Sequence, residues 1–324
     1  MIISKTPFRI SLFGGSTDYE SFYSEHGSLL IGFAIDKHCY LTVRDNPNIF
    51  DYYSKITYST IESVENNRDI KHNGVRGVLE YFNLLDRRLE ISCFNDLPAQ
   101  TGIGSSSSFV VGLINAMMYH TRSYRFSPNR LAELAIDIER KHLKEAGGIQ
   151  DQIWAAHGGF NSINIDKKGK FKVKPLPISD DFVKEFIDRS FLIYTGNNRQ
   201  SFKIASSHDT GSQDRNKENI LFLARHGYDA FCNENLHGIA SLLRESWESK
   251  KQISNLICTK EIEEMINDLY GYGMIGGKLI GSGGSGFIFG MADNFIEKQT
   301  IKNIFSKRYI DFNISKIGST IIHE

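Results

Sequence analysis

The chain has 324 residues, 40% hydrophobic and 23% charged, which is enough apolar material for a core and enough length for two domains. Lysine plus arginine equals aspartate plus glutamate at 38 each, so the net charge of zero gives no global attraction to nucleic acid or an anionic membrane. The four cysteines (Cys39, Cys93, Cys232, Cys258) contain no Cys-x-x-Cys pair, which argues against a zinc site or redox pair and for buried free thiols.

Pro7 comes too early for a signal-peptide core, and no apolar run approaches membrane-spanning length, so a cytoplasmic protein is expected. Leu29–Ile35 and Cys39–Val43 read as strands, preceded by the polar turn Gly14-Gly15-Ser16-Thr17-Asp18-Tyr19. That turn could grip hydroxyl groups, or be an ordinary Asx turn. Leu89–Phe94 is a further strand. It leads into Pro98-Ala99-Gln100-Thr101-Gly102-Ile103-Gly104-Ser105-Ser106-Ser107-Ser108, ahead of an all-round apolar helix, Phe109–Met118. Glycines admit close backbone approach, and the following helix start offers free N–H groups to a polyphosphate. A flexible Gly/Ser turn is the plainer reading. Neither the Walker pattern nor the dinucleotide fingerprint fits: Gly277-Lys278 is followed by Leu279, and Ser107 stands where the third glycine would be.

Ser127-Pro128 should start a helix with the apolar stripe Leu131, Leu134, Ala135 and Ile138. Glu139 borders that stripe and is either a surface carboxylate or one with a cation for a partner. Asp151, in Gly147-Gly148-Ile149-Gln150-Asp151-Gln152, is either a helix cap or chemically employed. A hairpin is expected around Lys167-Lys168-Gly169, and a short helix capped by Asp180 or Asp181. A strand begins at Ser190. Long amphipathic helices follow over 217–235 and 237–272, then the glycine-dense loop from Gly276 to Phe287, in which a backbone must pass close to something. Strands mixed with helices in both halves indicate an α+β protein, divided into 1–188 and 189–324.

In order and spacing these segments resemble the GHMP kinases over essentially the whole chain. Pro98–Ser106 corresponds to the family's Pro-x-x-x-Gly-Leu-Gly-Ser-Ser loop, with Ile103 for leucine. Gly281–Phe287 corresponds to its C-terminal glycine loop, with Ser282 and Ser285 as departures. Within the superfamily, Thr6-Pro7-x-Arg9-Ile10, Gly14-Gly15-x-Thr17-Asp18, Gln150-Asp151-Gln152, Gly158-Gly159-Phe160-Asn161 and Gly276-Gly277-Lys278-Leu279 are most similar to D-glycero-D-manno-heptose 7-phosphate kinases.

The resemblance implies an N-terminal domain of the ribosomal protein S5 domain 2 type, a ferredoxin-like C-terminal domain and an active site between them. It implies an ATP- and Mg²⁺-dependent kinase acting on the anomeric hydroxyl of a sugar phosphate. Asp151 would take or orient the hydroxyl proton beside Arg9. Pro98, Gly102, Ile103, Gly104, Ser105, Ser106, Ser107 and Ser108 would hold the nucleotide, and Ser106 and Glu139 the magnesium. Gly15, Ser16, Thr17, Asp18, Gly283 and Gly284 would face the substrate. A phosphate distal to the reacting end needs a cation, for which Arg76, Arg199 and Lys203 are candidates, with Lys250 and Lys251 behind them. A small-molecule partner follows, with neither nucleic acid nor membrane; a homodimer is admitted, not required. The rival readings are a 1-kinase for a free sugar of the galactose or fucose type, and a non-catalytic ATP-binding regulator on the same fold.

Overall fold

A computed structural model describes residues 1–196 and 214–324 as two sheets with helices packed on them; Arg199 and Lys203 lie outside the described residues. Strand β1 (Ile2–Phe13) passes through a tight turn and helix α1 (Glu20–His26) into β2 (Ser28–Asp45), so the two expected strand runs are one long strand. β1 and β2 pair antiparallel from Ile2↔Val43 to Phe13↔Ile31, and the register shifts after Pro7, which has no N–H for the ladder. A hairpin of β3 (Ser54–Thr57) and β4 (Ile61–Val64) follows, then helix α2 (Asn73–Tyr81) and β5 (Leu89–Asn95), which pairs with both β2 and β3.

Helix α3 (Ser105–Arg122) is buried from Ser107 to Met118, as its all-round apolar sequence requires. It lies directly on β1: Ser4 Oγ donates to Gly112 O at 2.9 Å, and a Cβ on Gly112 would stand 2.7 Å from Thr6 Oγ1. Ser127 Oγ accepts from Arg130 N–H to start α4 (Pro128–Ile136), which widens into a π-helical turn, Asp137–His142, before α5 (Gln150–His157). The hairpin of β6 (Phe160–Ile165) and β7 (Phe171–Pro175) joins the first half of β2, leaving its second half to β5. Helix α6 (Asp180–Arg189) is capped by Ser179, whose Oγ accepts from Phe182 N–H. The expected caps Asp180 and Asp181 instead occupy the first turn, where negative charge suits the positive end of the helix.

The second sheet contains β8 (Ser190–Tyr194). Helices α7 (Asp214–Cys232), α8 (Leu236–Lys251) and α9 (Lys260–Gly271) precede β9 (Met274–Leu279). Then come β10 (Phe287–Ala292), α10 (Phe295–Ile304) and β11 (Tyr309–Ile310), giving the antiparallel order β11-β8-β10-β9. The helix expected over 237–272 is therefore two. Ile253 and Ile257 in the break are buried, so the apolar spacing continues through it and periodicity cannot see it. Thr259 Oγ1 then accepts from Ile262 N–H and begins α9.

The last strand, β12 (Thr320–His323), does not stay with the second sheet but returns to pair with β1. Phe33 of β2 is ringed by Phe160 and Phe186 from the first half and by Phe289 and Phe312 from the second. Each such aromatic pair is worth about 0.5–1.5 kcal/mol beyond its buried area, so this cluster welds the halves together. Among the described residues no helix is long and apolar enough to cross a membrane.

Candidate active site

A cavity of about 750 Å³ opens where α3, α5, β1 and the second glycine loop converge. Its floor is the start of α3. Gly102 and Gly104 have φ of 78° and 76°, and Gly104 occupies the N-cap position without a capping side chain. The first-turn N–H groups are left for a ligand, and the helix dipole favours an anion there. Gly102, Gly104, Ser105, Ser106 and Ser107 line the cavity. Pro98, Ile103 and Ser108, also expected at the nucleotide, do not line it. Pro98 O is taken by Thr101 Oγ1, Ile103 is buried with its O accepting from Arg9 N–H, and Ser108 Oγ donates to Pro7 O.

Arg9 joins the parts. Its guanidinium donates to Gly102 O through Nη1 at 2.6 Å, and to Asp151 Oδ1 through Nε at 2.8 Å, with Nη2 2.7 Å from the same oxygen. Asp151, in the first turn of α5, is thereby held against the glycine loop. A Cβ on Gly104 would stand 3.2 Å from Arg9 Cγ and 3.5 Å from Asp151 Oδ2. Among the described residues Asp151 Oδ2 accepts no hydrogen bond, which leaves it for an incoming hydroxyl.

Glu139 sits in the π turn and is 1% exposed, which excludes a surface carboxylate. Its oxygens accept from Ser107 Oγ, at 2.8 Å for the nearer one, and from Gln152 Nε2. Burial raises its pKa to about 7, although Arg140, Gln152 and Ser107 pull the other way. The hydroxyl bonded to Glu139 belongs to Ser107; Ser106, expected with Glu139 at the magnesium, makes no such bond. One residue is about 100° around a helix, so Ser106 lines the same cavity from an exposed position.

On the opposite wall Gly15, Ser16 and Asp18 face the cavity, whereas Thr17 turns inward to Gly14 O and Ser28 Oγ. Asp18 is itself a bracket. It accepts from Ser16 N–H, Gln150 N–H and Gln150 Nε2, joining the polar turn to α5. Burial, reinforced by the Asp151 charge, raises its pKa to about 6 against the opposing pull of the Gln150 N–H. The folded protein therefore binds a proton here that the unfolded chain releases between its ordinary 3.8 and about 6. This contribution to stability is full below 3.8 and lost as pH rises through about 6. Thermal melts of Asp18→Asn between these limits should show a flatter pH dependence than wild type.

From the second half, Gly281 and Ser282 reach the cavity. The expected Gly283 and Gly284 do not. A Cβ on Gly283 would meet Ile257 Cα at 2.8 Å, and Gly284 N–H donates to Ile257 O, so both pack on the second half's own core. The glycine density has a mechanical reason: the two glycine loops touch, and a Cβ on Gly281 would lie 2.2 Å from Gly102 Cα. Arg76 does not line the cavity; its guanidinium is spent on Ile70 O and on Oδ1 of Asn73, a residue at the cavity's edge. Lys251 pairs with Glu248 and Glu263.

The family models for the GHMP kinases N terminal domain and the GHMP kinases C terminal match residues 73–159 and 228–311, together more than half the chain. The chain belongs to the GHMP kinase family. A D-glycero-alpha-D-manno-heptose 7-phosphate kinase of Campylobacter jejuni is 28% identical over 332 residues, 98% of this chain and 97% of that protein. Among solved structures, a D-glycero-D-manno-heptose 1-phosphate kinase from Bacteroides thetaiotaomicron aligns with TM-score 0.81 and 23% identity over 100% of this chain and 99% of that one. The mevalonate kinase of Methanococcus jannaschii aligns at TM-score 0.73 and 18% identity over 97% of this chain and 98% of its own. At such identities these two structures establish the shared fold.

This GHMP kinase also places in the cavity residues that were not expected there. Gln150 and Ser11 line it, each with a buried side-chain oxygen lacking a hydrogen bond. Lys278 reaches it from β9, and Lys250, a candidate behind Arg76 for a substrate phosphate, reaches it from α8. A lone charge inside the glycine-dense stretch from Gly276 to Phe287 is itself a signal for Lys278. Lys250 continues the stripe Leu236, Ile239, Leu243 and Trp247 at three- and four-residue spacing, a signal that separates it from Lys251.

Proposed function

We propose that this GHMP kinase transfers the terminal phosphoryl group of ATP to the anomeric hydroxyl of a sugar phosphate, D-glycero-D-manno-heptose 7-phosphate, giving the 1,7-bisphosphate. The observation that carries the reading is the Arg9–Asp151 pair lying against Gly104 at the uncapped start of α3, where an acceptor and a polyphosphate can meet. Asp151 Oδ2 takes the proton of the acceptor hydroxyl as that oxygen bonds to phosphorus and ADP leaves. Arg9 fixes the carboxylate through two N–H groups and lends positive charge to the transfer. Ser11, Gly15, Ser16 and Gln150, on the wall away from the helix start, meet the sugar hydroxyls. The Campylobacter relative's name gives the acceptor; the cavity's polar lining is consistent with it.

Glu139 with Ser107 fits a hard cation: a deeply buried carboxylate beside a hydroxyl, reached from the cavity. Among the described residues no cluster of three His, Cys, Asp or Glu side chains could hold a metal, so the other ligands would be phosphate oxygens and water. Magnesium bound there would neutralise phosphate charge. Glu139→Gln should raise the Mg²⁺ concentration giving half-maximal rate by roughly tenfold or more, as expected when a carboxylate ligand is lost. An unchanged magnesium titration removes Glu139 from this role.

The test of the acceptor is ADP release with heptose 7-phosphate, other sugar 7-phosphates, free heptose, galactose and fucose. Turnover of a free hexose or fucose in preference to every phosphorylated sugar would replace the proposed acceptor with the free-sugar reading.

A further inference from the structure

Two lysines on the second-half wall of the cavity are used by nothing described so far. Lys250 is 6% exposed and Lys278 4%. Among the described residues neither ammonium pairs with a carboxylate. Lys250 Nζ donates to Leu279 O at 3.2 Å and to Gly281 O, and Lys278 Nζ donates to Leu12 O at 2.6 Å. Each ammonium has three donors, so hydrogen-bonding capacity remains on both.

Burying two like charges near each other without a counter-ion is costly, and replacing them with apolar side chains would ordinarily be neutral or stabilising. The strain is legible in the ammonium groups. Burial, then the Arg9 charge, lowers the Lys278 pKa to about 7; burial, then Lys278 and Arg9, lowers that of Lys250 well below its usual value. A structural tie to three carbonyls does not need two charges.

The position says what the missing counter-charge is. Lys250 hangs on Gly281, whose backbone touches Gly102 of the nucleotide loop. Lys278 is anchored at Leu12, beside Ser11 on the acceptor side. Both are within electrostatic reach of Arg9, which grips Asp151. The pair thus borders the junction between nucleotide loop and acceptor, not the far end of the cavity.

We propose that Lys250 and Lys278 form a phosphate receptor contributed by the second half of the chain, and that its occupant is the phosphoryl group in transfer. This inference rests on the kinase reading above. Positive groups fixed around a transferring phosphoryl stabilise the charge spread over its non-bridging oxygens, in a site where water does not screen them. The second half would then supply transition-state charge, and not merely close the cavity.

The test uses full-length Lys250→Met and Lys278→Met. Met keeps length and apolar volume, so both variants should melt at or above the wild-type temperature; melting well below it would mark the lysines as structural ties and overturn the proposal. With magnesium present, calorimetry should find ADP affinity little changed, and at least a tenfold loss for ADP–aluminium fluoride, which mimics the transferring group. Equal losses for the two ligands, or none, overturn the receptor. Steady-state rates should show kcat reduced by roughly 10²-fold or more with the acceptor KM little changed. A rise confined to the acceptor KM, absent with an unphosphorylated sugar, would assign the lysines to the sugar's own phosphate and also overturn it. If wild type binds neither nucleotide ligand, the kinase reading itself has failed; if wild type binds both and the variants match it, only the receptor has.

Discussion

Asp151→Asn is expected to lower kcat by about 10²–10⁴ while leaving nucleotide binding intact. The substitution is nearly isosteric. The amide oxygen can still accept the two donations that Arg9 makes to Oδ1, so α5, Arg9 and the glycine loop have no reason to move. What disappears is a group able to take a proton on the oxygen facing the cavity. Rapid-quench assays with saturating ATP and acceptor, together with calorimetric titration of ADP, would separate the two quantities. Near wild-type turnover in the variant would remove Asp151 from the chemistry. A parallel loss of ADP affinity would show that its place is in holding the loop.

Gly281→Ala should be nearly as damaging by a different route. At φ 77° the residue lies in the left-handed region, which costs a side chain roughly 1 kcal/mol. The larger problem is collision: the added carbon would lie 2.2 Å from Gly102 Cα and 2.7 Å from Gly102 O. Backbone cannot yield as a rotamer does, so the two loops must separate. We expect about 2–4 kcal/mol of destabilisation from strain and overpacking together. Activity should fall further than stability alone accounts for, because Lys250 is anchored on Gly281 O and the facing Gly102 belongs to the loop proposed to hold the nucleotide. Urea unfolding followed by steady-state assay under folding conditions would measure both. Wild-type values in the two experiments would mean that the loops part freely.

Much of this was legible in the residues themselves. Glycine and serine density before a buried helix pointed to the loop that lines the cavity, and the α+β mixture to the architecture. Arg9, Asp151 and the loop do converge, though they are 142 residues apart in the case of the ion pair. Other features depend on side-chain direction, which spacing does not encode. Ser106 and Ser107 differ by one step around a helix turn, and only burial distinguishes the hydroxyl that meets Glu139. Gly283 and Gly284 looked equivalent to Gly281, yet the loop turns between them and gives two of its glycines to Ile257. Lys250 was legible by spacing, three residues after Trp247 and seven after Leu243 on one face of α8, but its charge reads as surface when composition alone is weighed. The break between α8 and α9 hid behind Ile253 and Ile257, whose apolar spacing mimics a continuing helix.

The return of β12 to β1 limits how the cleft can breathe. A unit hung from one linker can tilt in any direction. Here the second sheet is fastened where α6 enters β8, and again where Ile314 bridges Ile35 and the final strand docks on the opening one. Between these ties Phe289 and Phe312 pack on Phe33, so the second sheet is held along a seam and not at a single hinge. A seam closed at both ends keeps Gly281 opposite Gly102, and with it both lysines at one address, before any ligand arrives.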